Sequence, residues 1–265
     1  MKDSNKVRVQ CRECHQAVKD FPWMDAETRI TGSVKAWRAA FPCARAVNVS
    51  ERVDIIDEDF VHIRGGARRV RLHTVNISQC YEITDAAFVH LRGIHRLDMI
   101  DCSQATITDA AFLHLRGIHT LHMSFCKQAT ITDAAFVHLR GIHTLNVCFC
   151  NQATITDAAF VHLQGIHTLY MLKCNQETIT DAAFLNLRGI HTLVMAYCNQ
   201  ETNTDAAFVH LRGIHSLYMS GCSQATITDA AYLNLRGIRL LDVNGCTQLT
   251  ITPAGIAALR KLSPF

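Results

Sequence analysis

Apolar and polar positions recur along most of the chain in a fixed order, with a period of 24 residues. The stretch 108–130 reads TDAAFLHLRGIHTLHMSFCKQAT, and the stretch 132–154 reads TDAAFVHLRGIHTLNVCFCNQAT. A period of this length predicts a solenoid, in which each unit buries its apolar face against the next. The aspartate near the start of the pattern marks seven clear units: Asp85, Asp109, Asp133, Asp157, Asp181, Asp205 and Asp229.

Each unit predicts one short helix followed by one strand. A Thr-Asp pair suits a helix N-terminus, since either side chain can accept hydrogen bonds from free backbone N–H groups. Phe112 and Leu115 share one helix face, and Gly117 suits the C-terminal end of a helix of about two turns. Leu121 and Met123 lie two residues apart and therefore point to the same side of a strand. Stacked units place a parallel sheet on the inner face and helices on the outer face.

Both ends of the chain depart from the repeat. A weaker unit lies around 60–72, and a strand-like segment, Ala46–Val49, precedes it. We expect three parts: a helical N-terminal cap at 1–58, the 24-residue repeats at 59–250, and a C-terminal cap at 251–265. Caps are expected because the ends of a solenoid otherwise expose an apolar face and a strand edge.

The strand half of the unit carries a family resemblance. Ile118-x-x-Leu121-x-Met123-x-x-Cys126 resembles the leucine-rich-repeat signature L-x-x-L-x-L-x-x-N/C, and it does so from about residue 60 to about residue 260. Cys followed by Ile-Thr-Asp resembles the cysteine-containing subfamily, which is common in F-box proteins of ubiquitin ligases. The resemblance implies an α/β fold: a right-handed leucine-rich-repeat solenoid with a parallel sheet on its concave face and short helices on its convex face.

Part of the N-terminal cap resembles an F-box. The segment VKAWRAAF at 34–41 is similar to the end of an F-box, where a Trp-containing helix leads into the first repeat. The Leu-Pro that usually opens an F-box is missing, and only Phe21-Pro22 stands in its place. The resemblance implies a truncated or degenerate F-box reused as a cap, and it makes a ubiquitin-ligase adaptor one candidate partner.

Composition narrows the class of protein. Hydrophobic residues make up 49% and charged residues 18%, which is typical of a folded soluble protein, and no apolar run is long enough for a membrane span. The start of the chain, 1–9, lacks the apolar core of a signal peptide, so we expect an intracellular protein in the reducing cytoplasm or nucleus. The net charge of +3 does not indicate a nucleic-acid partner.

Eight of the 12 cysteines, from Cys80 to Cys246, recur once per unit. A single Cys at a fixed place in every unit is typical of a buried thiol, because free Cys behaves as a small hydrophobe. The chain also contains Cys11-x-x-Cys14-His15, a haem-attachment pattern that could instead form a zinc site with Cys43. Since no second Cys pair follows, we interpret these as ordinary cysteines and expect neither a metal nor a cofactor.

The histidines form two columns along the repeats. We interpret both as structural, with ring nitrogens that satisfy groups in the turns, because metal sites mix ligands and close tetrahedrally. Stacked imidazoles resist simultaneous protonation, so stability should fall below about pH 6. One column precedes the strands, at His95, His119, His143, His167, His191 and His215, and the other lies on the helices, at His90, His114, His138, His162 and His210.

Comparing the units separates uniform positions from variable ones. An outer Arg is present in every clear unit except the one with Gln164, whereas the strand positions that face the concave side differ from unit to unit. We predict that the variable face is a recognition surface with aromatic anchors, although the same variation would arise if these positions simply tolerate change. The predicted partner-binding residues are Asp98, Asp101, His122, Phe125, Asn146, Phe149, Tyr170, Lys173, Tyr197, Tyr218 and Asp242.

No catalytic motif accompanies the repeats: the chain has no phosphate loop, no nucleophile elbow and no H-E-x-x-H helix. We therefore expect a non-enzymatic scaffold that binds a protein partner through its concave face. One alternative is a substrate receptor of an F-box ubiquitin ligase, which the N-terminal resemblance implies. Another is a structural protein that assembles with copies of itself.

Overall fold

The computed structural model describes residues 14–64, 71–246 and Thr252. Within them, nine short strands form one parallel sheet whose strand order follows the chain. Equivalent residues pair from strand to strand, as Leu121 does with Leu145 and Leu145 with Leu169. The strands are β1 (Ala46–Asn48), β2 (Thr74–Asn76), β3 (Arg96–Asp98), β4 (Thr120–His122), β5 (Thr144–Asn146), β6 (Thr168–Tyr170), β7 (Thr192–Val194), β8 (Ser216–Tyr218) and β9 (Leu240–Asp242).

One α-helical turn precedes each strand from β3 onward, and a 3₁₀ turn extends most of them to about two turns, as predicted. The α-helical turns are Asp85–Phe88, Asp109–Phe112, Asp133–Phe136, Asp157–Phe160, Asp181–Phe184, Asp205–Phe208 and Asp229–Tyr232. The 3₁₀ turns are Val89–Leu91, Leu113–Leu115, Val137–Leu139, Val161–Leu163, Leu185–Leu187 and Val209–Leu211. Among the described residues, no helix has the length and apolar character that a membrane span requires.

The core consists of columns of like side chains that run along the solenoid. Phe112, Leu115, Leu121 and Met123 are all buried, and their equivalents in neighbouring units occupy the same columns. Each buried side chain of this size stabilises the fold by roughly 1.5–3 kcal/mol. Because every unit contacts only its neighbours, this stabilisation accumulates interface by interface.

The repeated cysteines are free thiols, and all of them are buried, as predicted, except the half-buried Cys246. The Cys126 Sγ donates a hydrogen bond to the carbonyl of Met99 in the preceding unit, at 3.1 Å. The same bond recurs in each unit, so the thiol supports the turn that follows the strand. Burial raises the pKa of Cys102 to about 12, so this thiol stays protonated and is a poor nucleophile.

An aspartate clamp joins each unit to the next. Asp109 Oδ1 accepts a hydrogen bond from the Thr132 backbone N–H, and Asp109 Oδ2 accepts one from Thr132 Oγ1, both at 2.7 Å. The Thr132 hydroxyl in turn accepts from the N–H of Ala134 and caps the helix. The sequence left open whether Thr or Asp caps the helix. Thr is the N-cap residue, and Asp accepts hydrogen bonds from the Thr of the next unit. The pattern runs from Asp57 to Thr252.

The N-terminal segment packs against the first strand of the sheet, where the Ile30 N–H donates to the carbonyl of Asn48 at 2.8 Å. Residues 14–20 are helical, and the helix Val34–Ala40 begins at the N-cap Ser33. Arg38, on that helix, is buried and donates hydrogen bonds to the carbonyls of Ala44 and Ile63, which ties the helix to the first unit. β1 belongs to this segment, so the sheet begins within the predicted cap 1–58. The predicted C-terminal cap lies outside the described residues, apart from Thr252.

A candidate recognition surface on the concave face

The last residue of each strand from β3 to β9 forms a row across the concave face. The row contains six of the predicted partner-binding residues and one aliphatic residue, and neighbours along it pair in register. Most of them are half-buried, because they stand beside their neighbours in the row. The row is Asp98, His122, Asn146, Tyr170, Val194, Tyr218 and Asp242.

Asp98 differs from the rest of the row because it is only 8% exposed. His122 Nδ1 lies 2.9 Å from Asp98 Oδ1, and Arg96 Nε donates to Asp98 Oδ2 at 3.1 Å. Burial raises the pKa of the Asp98 carboxyl, but the hydrogen bonds from His122 and Arg96 outweigh it and lower that pKa overall. Asp98 therefore organises its neighbours and offers little of its charge to a partner.

A second column, here called the edge column, follows the strands on the same face. Its members are Asp101, Phe125, Phe149, Lys173 and Tyr197, and all have positive φ angles of 55–63°. Each such residue costs roughly 1–2 kcal/mol, since this left-handed conformation crowds the Cβ atom. The conformation persists because each backbone N–H donates across to the next unit, as Phe125 does to the carbonyl of Cys148 at 2.9 Å. Sequence variation pointed to these positions but did not indicate this strain.

The side chains of the edge column stack on one another. The rings of Phe125 and Phe149 lie face to face, with centroids 4.2 Å apart. The Lys173 ammonium lies 5.5 Å from the Phe149 ring and 5.4 Å from the Tyr197 ring, and Lys127 lies 5.6 Å from the Phe125 ring. Phe125 and Tyr197 remain 37% and 48% exposed. The column thus presents aromatic and cationic groups that contact one another and are open to solvent.

Tyr197 ends the stack because the next unit has a glycine in its place. A Cβ atom on Gly221 would lie 2.4 Å from Tyr197 Cε1, so the ring occupies space that only glycine leaves free. Gly221 also adopts the positive φ of this column, at 68°. At the other end, Gln79 of the preceding unit has the same positive φ, at 58°, and its Nε2 donates to Asp101 Oδ2 at 3.3 Å. The Tyr81 hydroxyl donates to the same oxygen at 3.0 Å.

Hydrogen bonds between neighbouring units on the convex side explain why the Arg positions there are uniform. Arg116 Nε donates to His138 Nδ1 of the next unit at 3.2 Å, and three other Arg-His pairs repeat this contact. Where the Arg is replaced by Gln164, the partner His is replaced by Asn186, and the two amides hydrogen-bond at 3.1 Å. Arg212 donates instead to Asn234 Oδ1 at 3.2 Å, so a side-chain bond between units is kept even where the residue types change, which indicates an architectural role.

The histidines before the strands form a continuous stack from His73 to His215, with ring centroids 4.3–4.5 Å apart. We expected their ring nitrogens to satisfy turn groups, and the contact found is with a hydroxyl: His119 Nδ1 lies 3.2 Å from Thr120 Oγ1. Burial, and then the charge of neighbouring histidines, lowers the pKa of His119 and His167. In the described part of the chain, no three metal-ligating side chains converge. Cys11 lies outside that part.

Many solved structures resemble this chain in fold. No protein-family model and no curated protein matches it. A chain of the TLR13–ssRNA13 complex is 19% identical with a TM-score of 0.69, and the match covers 91% of this chain and 33% of that one. Internalin C2 from Listeria monocytogenes is 19% identical with a TM-score of 0.55, covering 77% and 80%. A chain of the yeast Rad7–Elc1 complex is 14% identical with a TM-score of 0.51, covering 91% and 75%.

The likeness shows the fold: the protein is a leucine-rich-repeat solenoid with a parallel sheet and short helices, as predicted. The chain spans about a third of the length of the TLR13 chain.

Proposed function

We propose that the protein is a non-enzymatic scaffold that binds a protein partner through its concave face. The observation that carries the proposal is the edge column, where exposed aromatic rings and a lysine are held in a stack on strained backbone. Tyr170 and Tyr218 stand beside it in the strand row. Tyrosine and other aromatic residues are enriched at the centres of protein interfaces.

Pre-organisation favours this use of the surface. The Phe125–Phe149 stack fixes both rings before a partner arrives, so less side-chain entropy is lost on binding. Strained residues of this kind cluster at functional sites, where the surrounding structure holds them. Neighbouring strands lie about 4.8 Å apart, so the four steps from β4 to β8 span roughly 19 Å, enough for an extended segment of a partner.

The comparison structures hold different partners. One complex contains single-stranded RNA, and another contains Elc1. For this chain a protein is the better candidate, because the edge column has one lysine and one aspartate among three aromatic residues and so lacks a basic track.

The test is affinity capture from the native cell, followed by a binding titration with the partner that is recovered. The double variant Tyr170→Ala/Tyr218→Ala should weaken binding by roughly 100-fold or more, the effect of losing two interface hot spots. Arg116→Ala on the convex side is the matched control and should bind as the wild type does. Equal binding by the concave and convex variants would contradict the proposal.

A second candidate function is that of a substrate receptor in an F-box ubiquitin ligase. The observation that favours it is an apolar groove in the N-terminal segment, lined by Trp23, Trp37 and Phe41. Phe21 and Met24 are exposed near this groove. The full chain would then bind a ligase adaptor, and Phe21→Ala/Met24→Ala would abolish this binding while Tyr170→Ala/Tyr218→Ala would not. Failure of the full chain to bind the adaptor rules this candidate out.

We also propose that the protein works in a reducing compartment inside the cell. All the described cysteines are free thiols, including the exposed Cys14. Imaging of the tagged full chain in its native cell tests this, and a secreted product would contradict it.

A further inference from the structure

One buried column of isoleucines is interrupted by an asparagine. Asn203 is fully buried, and among the described residues neither atom of its side-chain amide has a hydrogen-bond partner. A buried amide without partners costs free energy, because it has given up its hydrogen bonds to water. The other six units have isoleucine at this place: Ile83, Ile107, Ile131, Ile155, Ile179 and Ile227.

The glutamines beside this column change their contacts around Asn203. In the earlier units the glutamine Nε2 donates to a cysteine carbonyl of the preceding unit, as Gln128 does to Cys102 at 3.0 Å. Gln104, Gln152 and Gln176 make the same bond. Gln200 and Gln224, which are 1% exposed, do not: their Nε2 atoms have no partner among the described residues.

The backbone loses contacts at the same place. In four earlier units the aspartate N–H donates to a threonine carbonyl of the next unit, as Asp133 does to Thr154 at 3.2 Å. The equivalent bonds from Asp181 to Thr202 and from Asp205 to Thr226 are not formed. Both interfaces of the turn 200–203 therefore lack the glutamine bond and the aspartate bond that earlier units form. The threonine bonds are kept, since Thr202 Oγ1 donates to the carbonyl of Ile179 at 3.0 Å and Thr226 Oγ1 donates to that of Asn203 at 2.7 Å.

Other contacts across this turn remain. The clamp from Asp205 to Thr228 keeps both its bonds at 2.7 Å, and β7 still pairs with β8. The junction is thus weakened without being disrupted. In a solenoid, stability is a sum of unit and interface terms, so weakening one interface lowers the cost of opening everything beyond it. Opening here also returns the Asn203, Gln200 and Gln224 amides to water.

We propose that Asn203 divides the solenoid into two cooperative blocks, and that the block from Asp205 onward opens locally while the earlier units stay folded. Tyr197 lies before the junction, and Tyr218 lies after it. The ring of Tyr197 rests against Gly221 across the junction. Opening therefore separates the two halves of the concave surface and provides a means of regulating access to it.

Hydrogen exchange of the full chain, followed by mass spectrometry, tests the proposal. In the wild type, amides of β8 and β9 should exchange together and at least about tenfold faster than amides of β4 to β6, as expected for a separate opening unit. Asn203→Ile should slow exchange across 205–246 by about tenfold, because it restores the residue that six other units carry. Ile155→Asn is the transplant control, and it should create a new boundary after residue 155.

The outcomes separate this junction from simple fraying of the end. Unchanged exchange of 205–246 in Asn203→Ile, or faster exchange, overturns the proposal, because the amide would then be neutral or stabilising. Should Ile155→Asn fail to fold, Asn203→Val provides the second comparison and must also slow exchange. A wild type in which 205–246 exchanges as slowly as the central units overturns it as well.

Discussion

The buried columns and the edge column belong to the same units but follow different rules. A residue in a buried column packs among its counterparts in the neighbouring units, and the same residue type recurs there, as in the column of Phe112, Phe136 and Phe160. A residue in the edge column must tolerate a positive φ angle, and Gln, Asp, Phe, Lys, Tyr and Gly all occur there. Uniformity in this chain therefore marks mutual dependence, and variation marks positions that are free to adapt to a partner.

Truncation of a buried ring should lower the stability of the protein more than any other change considered, because it tests the buried columns directly. Phe136→Ala removes a buried ring from a continuous column and should destabilise the protein by roughly 3–5 kcal/mol. Urea unfolding with a two-state or Ising analysis measures this value. The exposed Phe125→Ala is the control and should change stability by no more than about 1 kcal/mol. Equal effects of the two substitutions would remove the distinction between the columns.

Removal of one clamp should have the next largest effect. Asp133→Ala deletes the acceptor of two hydrogen bonds from Thr156 and should destabilise by about 2–3 kcal/mol, the range for charged hydrogen bonds with a donor left unsatisfied. Asp133→Asn keeps an acceptor for the backbone N–H and should cost less. Thermal unfolding of both variants gives the ordering, and a harmless Asp133→Ala would show that the clamp contributes nothing.

Strain in the edge column predicts a smaller and unusual effect. Phe149→Gly should be more stable than Phe149→Ala by roughly 1 kcal/mol, because both lose the ring stack but only glycine relieves the positive φ angle. In an ordinary extended or helical site the order is reversed. Chemical unfolding of the two Phe149 variants measures the difference. Val147→Gly and Val147→Ala are the reference pair outside the edge column, where the Ala variant should be the more stable one.

The histidine stack should make the smallest contribution to stability per residue, and this contribution should depend on pH. The folded-state pKa values of His95, His119 and His167 are lowered, first by burial and then by neighbouring positive charge. The unfolded chain therefore binds protons more readily below about pH 6.5, so stability is complete above that pH and declines as the pH falls toward the folded-state values. Tm should drop between pH 7.5 and pH 5, and His119→Gln should reduce the drop. A constant Tm over this interval would contradict the prediction.

Most of the fold could be predicted because its determinants are local and repeated. The period, the Thr-Asp start and the Leu121–Met123 alternation specify helix, strand and stacking without long-range information. The clamp was missed, although Thr and Asp recur together in every unit, because the partner of each aspartate lies one unit away. The positive φ angles of Phe125 and Tyr197 could not be predicted, since neither residue favours that conformation and only bonds across the sheet hold it.

The candidate site was predictable in outline and not in detail. Variation among units located the concave positions, but it did not distinguish Asp98, which is buried beneath Arg96 and His122, from exposed Tyr197. Asn203 carried a readable signal, a polar residue in a column of isoleucines. Its effect on Gln200 and Gln224 depends on side-chain packing between three turns, which no pattern within one unit records.

The aspartate clamp also bears on how such a chain can change its length. Each unit offers a carboxylate at one side and a Thr N–H and hydroxyl at the other, so the clamp itself does not restrict which unit follows which. Loss of residues 133–156 would place Asp157 directly after Thr132, which recreates the Thr-Asp pair that every unit already contains. In-frame gain or loss of a whole unit would lengthen or shorten the solenoid and keep a clamp at every new interface. The length of the solenoid can therefore evolve in steps of 24 residues, while the residues of the concave face change by point substitution.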